Sequence, residues 1–143
     1  MKVLVMIKGE GVDEDRAAPT DEMFAVMNVY NEQLVDAGIM LGGGGLQPSS
    51  KGAKVVWDTR GEVSVVDGPF AESKEIIAGY WIWQVSSLDE AVEWARRCPS
   101  TAGMRSELEI RPFYEMEDFA QVVSPGILAK EQALLDRVQE QHG

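Results

Sequence analysis

Histidine and cysteine are almost absent from the chain, and this limits the chemistry that it can perform. Its 143 residues include one cysteine, Cys98, and one histidine, His142, which is the penultimate residue and so lies where chain ends tend to fray. A single cysteine excludes an intrachain disulfide and a cysteine-based metal cluster, and the carboxylates that remain hold hard cations weakly. We therefore expect no metal site and no cofactor. Cys98 itself follows Arg96 and Arg97, so it is either a packed thiol, which we favour, or a thiol activated by the two arginines.

Long apolar runs and an excess of basic residues are missing as well. No apolar stretch reaches the roughly 18 residues that a membrane-spanning helix needs. The 13 basic residues are outnumbered by 24 acidic ones, and the formal net charge of −11 argues against binding to nucleic acid or to an anionic membrane. The chain also carries no phosphate-binding loop, nucleophile elbow or dinucleotide fingerprint. The apolar start, Met1–Ile7, is too short for a signal peptide, so it predicts a first strand and a cytoplasmic protein.

The composition that remains is that of an ordinary globular protein with an added C-terminal segment. Hydrophobic residues make up 45% of the chain and charged residues 26%, and the length suffices for one core without disulfides. After Pro112 the composition changes: residues 115–118 are acidic, and Ile127–Gln141 has a helical pattern with an incomplete apolar stripe. We predict one domain over residues 1–113 and an acidic linker with a C-terminal helix over residues 114–143. That helix can dock on its own domain or on a partner subunit.

The hydrophobic pattern predicts the order strand, helix, β-hairpin, strand, helix, strand. Thr20 and Ser87 are typical N-caps, and Glu90 completes a capping box with Ser87. Residues 39–46 include four consecutive glycines and are predicted as a loop that can approach another backbone or a ligand closely. The predicted strands are Lys2–Lys8, Ala53–Trp57, Glu62–Val66, Ile76–Val85 and Glu107–Phe113.

Two helices that cross between strands of one sheet predict an α+β sandwich of the ferredoxin-like type. Such a sheet leaves one face without helices, and the alternation in the last two predicted strands places apolar residues on that face. A second subunit packed against this face would remove those residues from water. We therefore expect a homodimer.

The segment Asp67–Glu75 combines a rigid Gly-Pro corner, one large ring and four charged side chains. Asp67 stands where a predicted strand runs into this corner, so its carboxylate can face the mouth of the sheet as a general base or a ligand anchor. Alternatively, Asp67 forms an Asx-type turn that only shapes the corner. Asp67 is our candidate catalytic residue.

Five further side chains are candidate ligand contacts. Glu72 and Lys74 lie two residues apart, so an extended backbone points them to the same side, with Ser73 between them supplying a hydroxyl. The alternative is a solvated loop with a weak surface ion pair. Tyr80 on the following strand and Tyr30 on the first helix can add contacts to the same cavity, or both can belong to the core.

With this motif and this strand order, the chain resembles the YCII-related family and, within it, the DGPF-domain branch. The resemblance implies a dimeric α/β barrel, and it implies an association with alternative sigma factors of the extracytoplasmic-function type. The wider family is proposed to contain enzymes with a histidine–aspartate pair whose histidine lies on the first helix. Here residues 20–38 contain no histidine, and Met27 stands near the expected position. The resemblance runs from about Met1 to about Phe113 and rests on Gly38, Gly43–Pro48, Asp67–Glu75, Gly79-Tyr80, Ser87–Pro99 and Glu107–Pro112.

Two functions are therefore open. The first is a protein that binds a small polar molecule, or an enzyme that works without histidine, with its pocket near Asp67. The second is a non-catalytic regulatory or accessory protein that binds a regulatory partner linked to such a sigma factor, which the acidic surface and the C-terminal helix favour. We lean slightly toward the first.

Overall fold

Up to Pro112 the chain contains β1 (Lys2–Gly9), α1 (Asp21–Asp36), β2 (Met40–Gly45), β3 (Ala53–Trp57), β4 (Val63–Asp67), β5 (Gly79–Gln84), α2 (Leu88–Arg96) and β6 (Ser106–Pro112). Four of these strands form one antiparallel sheet in the order β2-β5-β1-β6. The computed structural model describes residues 1–9, 20–70, 75–99 and 105–143, and its Cα positions group into two units, Met1–Pro112 and Phe113–Gly143. Helix α1 links β1 to β2 and helix α2 links β5 to β6, which is the split β-α-β arrangement of the ferredoxin-like fold.

Both helices of this unit begin at the N-caps that the sequence predicts. The Thr20 hydroxyl accepts a hydrogen bond from the backbone N–H of Met23 at 3.2 Å, and the Ser87 hydroxyl accepts one from the N–H of Glu90 at 3.1 Å. The Glu90 carboxylate accepts from the hydroxyl of Ser86 at 2.7 Å. Both N-caps are therefore confirmed. The Glu90 side chain of the predicted capping box bonds to the side chain of Ser86, and not to the backbone of Ser87.

The core lies between the two helices and one face of the sheet. Because successive strand residues point to opposite faces, Trp81 and Trp83 of β5 face the helices together with alternate residues of β1. The Trp81 ring meets the ring of Tyr30 edge-on with centroids 5.8 Å apart. Nine residues form the buried cluster: Val3, Val5, Tyr30, Leu34, Ile39, Trp81, Trp83, Val85 and Ala91.

The opposite face of the sheet carries apolar side chains that these helices do not cover. Leu4 pairs with Ile82, and Met6 pairs with Tyr80, in the β1–β5 ladder. Leu4, Ile82 and Tyr80 are half-buried in the single chain. The face predicted to be uncovered therefore exists, and a single chain forms an open sheet with no closed barrel among the residues described.

The prediction that the last strand adds apolar residues to this face is wrong. Leu108 and Ile110 of β6 pair with Ile7 and Val5 and pack against the core on the helix-covered side. The open face of β6 therefore carries charged residues, and its apolar residues come from β1 and β5.

Strand β2 corrects the prediction of a loop over residues 39–46. Met40–Gly45 pairs with β5 as an edge strand of the sheet, although glycine disfavours strands and supplies no side chain to pack. The backbones approach so closely that a Cβ at Gly43 would lie 2.7 Å from the carbonyl oxygen of Tyr80. The predicted close approach is correct, but its partner is a neighbouring strand.

The hairpin β3–β4 forms a two-stranded sheet of its own, outside the four-stranded one. Its turn is held by Asp58, whose carboxylate accepts hydrogen bonds from the N–H groups of Arg60 at 2.8 Å and Glu62 at 2.9 Å. Gly61 adopts φ of +84°, which glycine tolerates best. The predicted hairpin and its turn are confirmed.

The second unit consists of a short 3₁₀ turn, Met116–Phe119, and the helix α3, Pro125–His142. The Asp118 carboxylate accepts a hydrogen bond from the N–H of Glu115 at 2.7 Å, and the rings of Tyr114 and Phe119 lie 4.8 Å apart. Within the described residues, no helix is both long and apolar enough to span a bilayer. Ile127, Leu134, Leu135 and Val138 are exposed along α3.

Candidate functional site

The Gly-Pro corner of the motif is packed against the buried Ser49. A Cβ at position 68 would collide with the carbonyl group of Ser49, so only glycine fits there. The N–H of Gly68 donates to the carbonyl of Gly52 at 3.1 Å, and the N–H of Phe70 donates to the Ser49 hydroxyl at 3.1 Å. The Gly68–Pro69 peptide bond is cis. The corner is thereby tied to the 3₁₀ turn Ser49–Lys51 that precedes the hairpin.

This contact places the ring of Phe70 on the wall of a cavity of about 540 Å³. We call this cavity the motif pocket. Its volume lies within the range of small-molecule sites in proteins, roughly 300–1,000 Å³. Its described lining residues are Leu46, Gln47, Pro48, Ser49, Lys51, Gly52, Lys54, Phe70, Glu75, Ile76 and Ile77.

The motif pocket combines apolar walls with a few charged groups. The ammonium of Lys54 lies 4.2 Å from the centroid of the Phe70 ring, within the distance of a cation–π contact. Lys51 and Glu75 are the other charged residues of the described lining. This is the composition expected of a small-molecule site, where apolar surface supplies affinity and a few polar groups fix orientation.

Asp67, the predicted catalytic residue, is exposed at the end of β4. In the hairpin it pairs with Ala53, and strand alternation puts these two on the face opposite to Lys54, which lines the motif pocket. The N–H groups of Gly68 and Phe70 are bonded to other acceptors, and Pro69 has no N–H to donate. Asp67 therefore forms no Asx-type turn with these donors, and it is not among the described residues that line the motif pocket.

The predicted ligand contacts are distributed over different places. Glu72, Ser73 and Lys74 lie outside the described residues. Tyr30 is buried on the helix-covered face of the sheet, where its hydroxyl donates to the carbonyl of Trp94 at 2.8 Å. Tyr80 is half-buried on the other face. The structure therefore does not bring Tyr30 and Tyr80 into one cavity. Tyr30 belongs to the hydrophobic core, which was the alternative interpretation of this residue.

Sequence reasoning missed Lys51 and Lys54 as site residues. Both precede the motif. Lys51 belongs to the 3₁₀ turn whose Ser49 contacts Gly68, 19 positions later, and Lys54 pairs with Val66 in the hairpin. Gln47 and Pro48 had entered only as part of the family resemblance. A signal existed in the motif itself, because a glycine before a proline at a rigid corner indicates a close backbone approach.

A second cavity, of about 310 Å³, lies between the first helix and the end of the second. Tyr30 and Arg97 line it, and the nearby thiol of Cys98 is half-buried and lies 3.5 Å from the carbonyl oxygen of Pro99. Burial raises the pKa of Cys98 to about 11 and raises the pKa of Tyr30 well above its usual range. Both groups are thus neutral near pH 7. Cys98 is a packed thiol, as favoured above.

Comparisons with known proteins show which family the chain is related to. The family model of the YCII-related domain matches residues 1–114. An uncharacterized protein of Rhizobium meliloti (strain 1021) is 33% identical over 86 residues, which correspond to 60% of this chain and 68% of that protein. The matched family model spans the whole ferredoxin-like unit, including the corner and the hairpin. The chain therefore belongs to the YCII-related family.

Proposed function

We propose that this protein, as a member of the DGPF branch of its family, binds a small molecule in the motif pocket. The observation that carries the proposal is the contact between Gly68 and Ser49, which ties the motif to a cavity lined by Phe70, Lys51 and Lys54. Glu72, Ser73 and Lys74 come two to four positions after Phe70 in the sequence, and we assign them further ligand contacts.

Any catalysis in this proposal proceeds without histidine. The first helix contains none, and Asp67 is the carboxylate of the motif that we assign as the reactive group if the bound molecule is transformed. Because Asp67 lies on the other face of the hairpin from Lys54, it can react only with a ligand that extends past the end of β4. Asp67→Asn should abolish turnover of such a ligand, and turnover that this substitution leaves unchanged would refute the assignment.

The binding proposal is tested by screening small molecules for their effect on the melting temperature. Wild type is compared with Phe70→Ala, which removes the ring from the pocket wall, and with Phe24→Ala, which removes an exposed ring from α1. We expect ligands that stabilise wild type and Phe24→Ala but not Phe70→Ala. Equal responses of all three proteins contradict the proposal.

We also propose that two chains pair as a homodimer, closing the dimeric barrel that the family resemblance implies. Two surfaces support this: the open face of the sheet around Ile82, and one face of the hairpin on which Val55, Trp57, Val63 and Val65 are 51–66% exposed. An isolated two-stranded hairpin is only marginally stable in water, so covering it is favourable.

Analytical ultracentrifugation tests the dimer with charged substitutions on these surfaces. Val65→Lys and Ile82→Lys should yield monomers, while Val35→Lys on α1, where the valine is 57% exposed, should leave the dimer intact. A monomeric wild type, or dimers in all variants, contradicts this assignment.

The alternative function is a regulatory or accessory role beside an extracytoplasmic-function sigma factor, which would also require a cytoplasmic protein. The exposed apolar stripe of α3 favours it, because such a stripe suits a partner helix. The test is coprecipitation of purified candidate sigma factor with wild type and with Leu134→Lys. If Leu134→Lys still binds as wild type does, or wild type binds no sigma factor, the alternative fails.

A further inference from the structure

The described lining of the motif pocket carries a net positive charge, although the protein as a whole is strongly acidic. Its described lining contains two cations, Lys51 and Lys54, and one carboxylate, Glu75, whereas the whole chain has a net charge of −11. Ion pairs found among the described residues join other groups: Lys8 to Glu109, Arg96 to Glu93 and Arg105 to Glu107. Within that part of the chain, neither pocket lysine is paired with a carboxylate. Their charge is therefore available to a ligand.

The position of Lys54 is held by the aromatic ring beside it. The face of an aromatic ring carries partial negative charge, so a lysine ammonium 4.2 Å from the Phe70 centroid is attracted to that face. This contact keeps the ammonium next to apolar surface. A ligand that reaches Lys54 therefore also covers part of Phe70.

The remaining walls restrict what such a ligand can be. Leu46, Pro48, Ile76 and Ile77 are apolar, and burying a charged or strongly hydrated group against them is costly. Inorganic phosphate would satisfy the lysines but would not use these walls. A simple hydrocarbon would use the walls but would not use the lysines. A molecule with one anionic end and an apolar body uses both.

We propose that the motif pocket binds a small organic acid whose carboxylate lies between Lys51 and Lys54 and whose ring or branched aliphatic body packs on Phe70 and Ile76. This inference rests on the proposed function, since it names the class of ligand for the same pocket. Glu75 and Gln47 at the rim discriminate among acids by accepting hydrogen bonds from a hydroxyl or an amide on the body of the ligand.

The experiment uses three probes of nearly the same shape that differ in charge: 3-phenylpropionate, 3-phenylpropionamide and 3-phenylpropylamine. Inorganic phosphate is the fourth, with charge but no apolar body. Binding to the full chain is followed by NMR at the amides of Ile76 and Ile77 and by titration calorimetry at low ionic strength. We expect 3-phenylpropionate to bind most tightly, 3-phenylpropionamide less tightly and 3-phenylpropylamine least. Inorganic phosphate should not shift the backbone N–H signals of Ile76 and Ile77.

Variants of the two lysines then test whether Lys51 and Lys54 supply the positive charge that binds the acid. Because both lysines are solvent-exposed, each of Lys51→Gln and Lys54→Gln should weaken binding of the acid by about two- to fivefold, and the double variant by about tenfold. Lys130→Gln, an exposed lysine on α3, is the matched control and should not change the affinity. Phe70→Leu should weaken the binding of 3-phenylpropionate and of 3-phenylpropionamide equally, since it alters the surface that the phenyl ring of each probe contacts. Circular dichroism establishes that each variant is folded.

The outcomes separate this inference from the proposed function. One outcome is that 3-phenylpropionamide or 3-phenylpropylamine shifts the backbone N–H signals of Ile76 and Ile77 with the same affinity as 3-phenylpropionate, and that the double lysine variant binds as wild type does. In that case the pocket binds small molecules without preference for acids. That result overturns the inference and leaves the proposed function standing. If no probe and no member of the wider screen shifts these amides, both fail. Preferential binding of the acid that is lost in the double variant supports both.

Discussion

Gly68 lies directly against the carbonyl group of Ser49, and no side chain can be accommodated at position 68. Around this contact the N–H of Phe70 is bonded to the Ser49 hydroxyl, and the N–H of Gly68 is bonded to the carbonyl of Gly52. The most distinctive segment of the sequence thus has a structural task that is independent of its charged residues. It holds the base of the hairpin against the 3₁₀ turn and thereby shapes the motif pocket.

The first prediction concerns Gly68 itself. Gly68→Ala should destabilise the protein by about 1–3 kcal/mol, because the added methyl group forces the Ser49 backbone away. Gly45→Ala is the control, since a Cβ at Gly45 meets open space, and its effect should stay within about 0.5 kcal/mol. Urea unfolding followed by circular dichroism measures both. Equal stability of the two variants would show that the corner tolerates a side chain.

The second prediction concerns the Ser49 hydroxyl. Ser49→Ala removes the acceptor for the N–H of Phe70, and the loss of this part-buried hydrogen bond should cost about 0.5–1.5 kcal/mol. Ser50→Ala, at the exposed neighbouring position, should have little effect. Hydrogen exchange at the Phe70 amide, compared between the two variants, reports the loss directly. Unchanged protection of that amide in Ser49→Ala would refute the assigned bond.

The third prediction concerns the turn of the hairpin. Asp58→Ala removes the acceptor for two backbone N–H groups and should raise hydrogen exchange at the amides of Arg60 and Glu62. The cost to the free energy of unfolding should be about 1–2 kcal/mol. Glu62→Ala alters a neighbouring exposed side chain and retains the acceptor. If it raises exchange as much as Asp58→Ala does, the Asp58 contacts are not what holds the turn.

The fourth prediction follows from the pKa of Cys98, which burial raises from 9.0 to about 11. At pH 7.5 this makes the thiolate fraction roughly a hundredfold smaller than in the unfolded chain. Iodoacetamide should therefore react with the native protein far more slowly than with the protein unfolded in urea. Similar rates in the two states would indicate that the thiol is activated by its arginine neighbours.

The fifth prediction is a loss of stability at alkaline pH. For a group whose pKa is raised by folding, the folded state retains its proton longer, so the stabilisation is complete below the unfolded pKa and is lost as pH rises through the folded one. For Cys98 this window runs from about pH 9 to about pH 11. Cys98→Ala should therefore show a shallower decline in the free energy of unfolding over this interval. An identical slope in wild type and Cys98→Ala would contradict the direction of the pKa shift.

Local features of the fold could be predicted from the sequence. Thr20 and Ser87 cap their helices through backbone groups three residues away, and the turn around Gly61 is equally local. Strand β2 could not be predicted, because its four glycines carry no strand signal and it exists only through its pairing with β5. Membership of the hairpin in a separate sheet is likewise a tertiary property.

The candidate site was only partly predictable, for the same reason. The motif was recognised because the corner and the ring of Phe70 are contiguous in sequence. Lys51 lies in the 3₁₀ turn before the hairpin and Lys54 lies in β3, and nothing in their spacing indicates that they line one cavity with Phe70. Asp67 was singled out because a strand ends there, whereas the pairing of β3 with β4 determines which face it occupies.

The most direct test of the central claim is calorimetric titration of 3-phenylpropionate into the wild-type chain and into the Lys51→Gln/Lys54→Gln double variant. We predict saturable binding to wild type, about tenfold weaker binding to the double variant, and parallel shifts of the Ile76 and Ile77 amides. Binding of equal strength to both proteins, or binding that leaves those two amides unmoved, would contradict the assignment of the motif pocket as a site for organic acids.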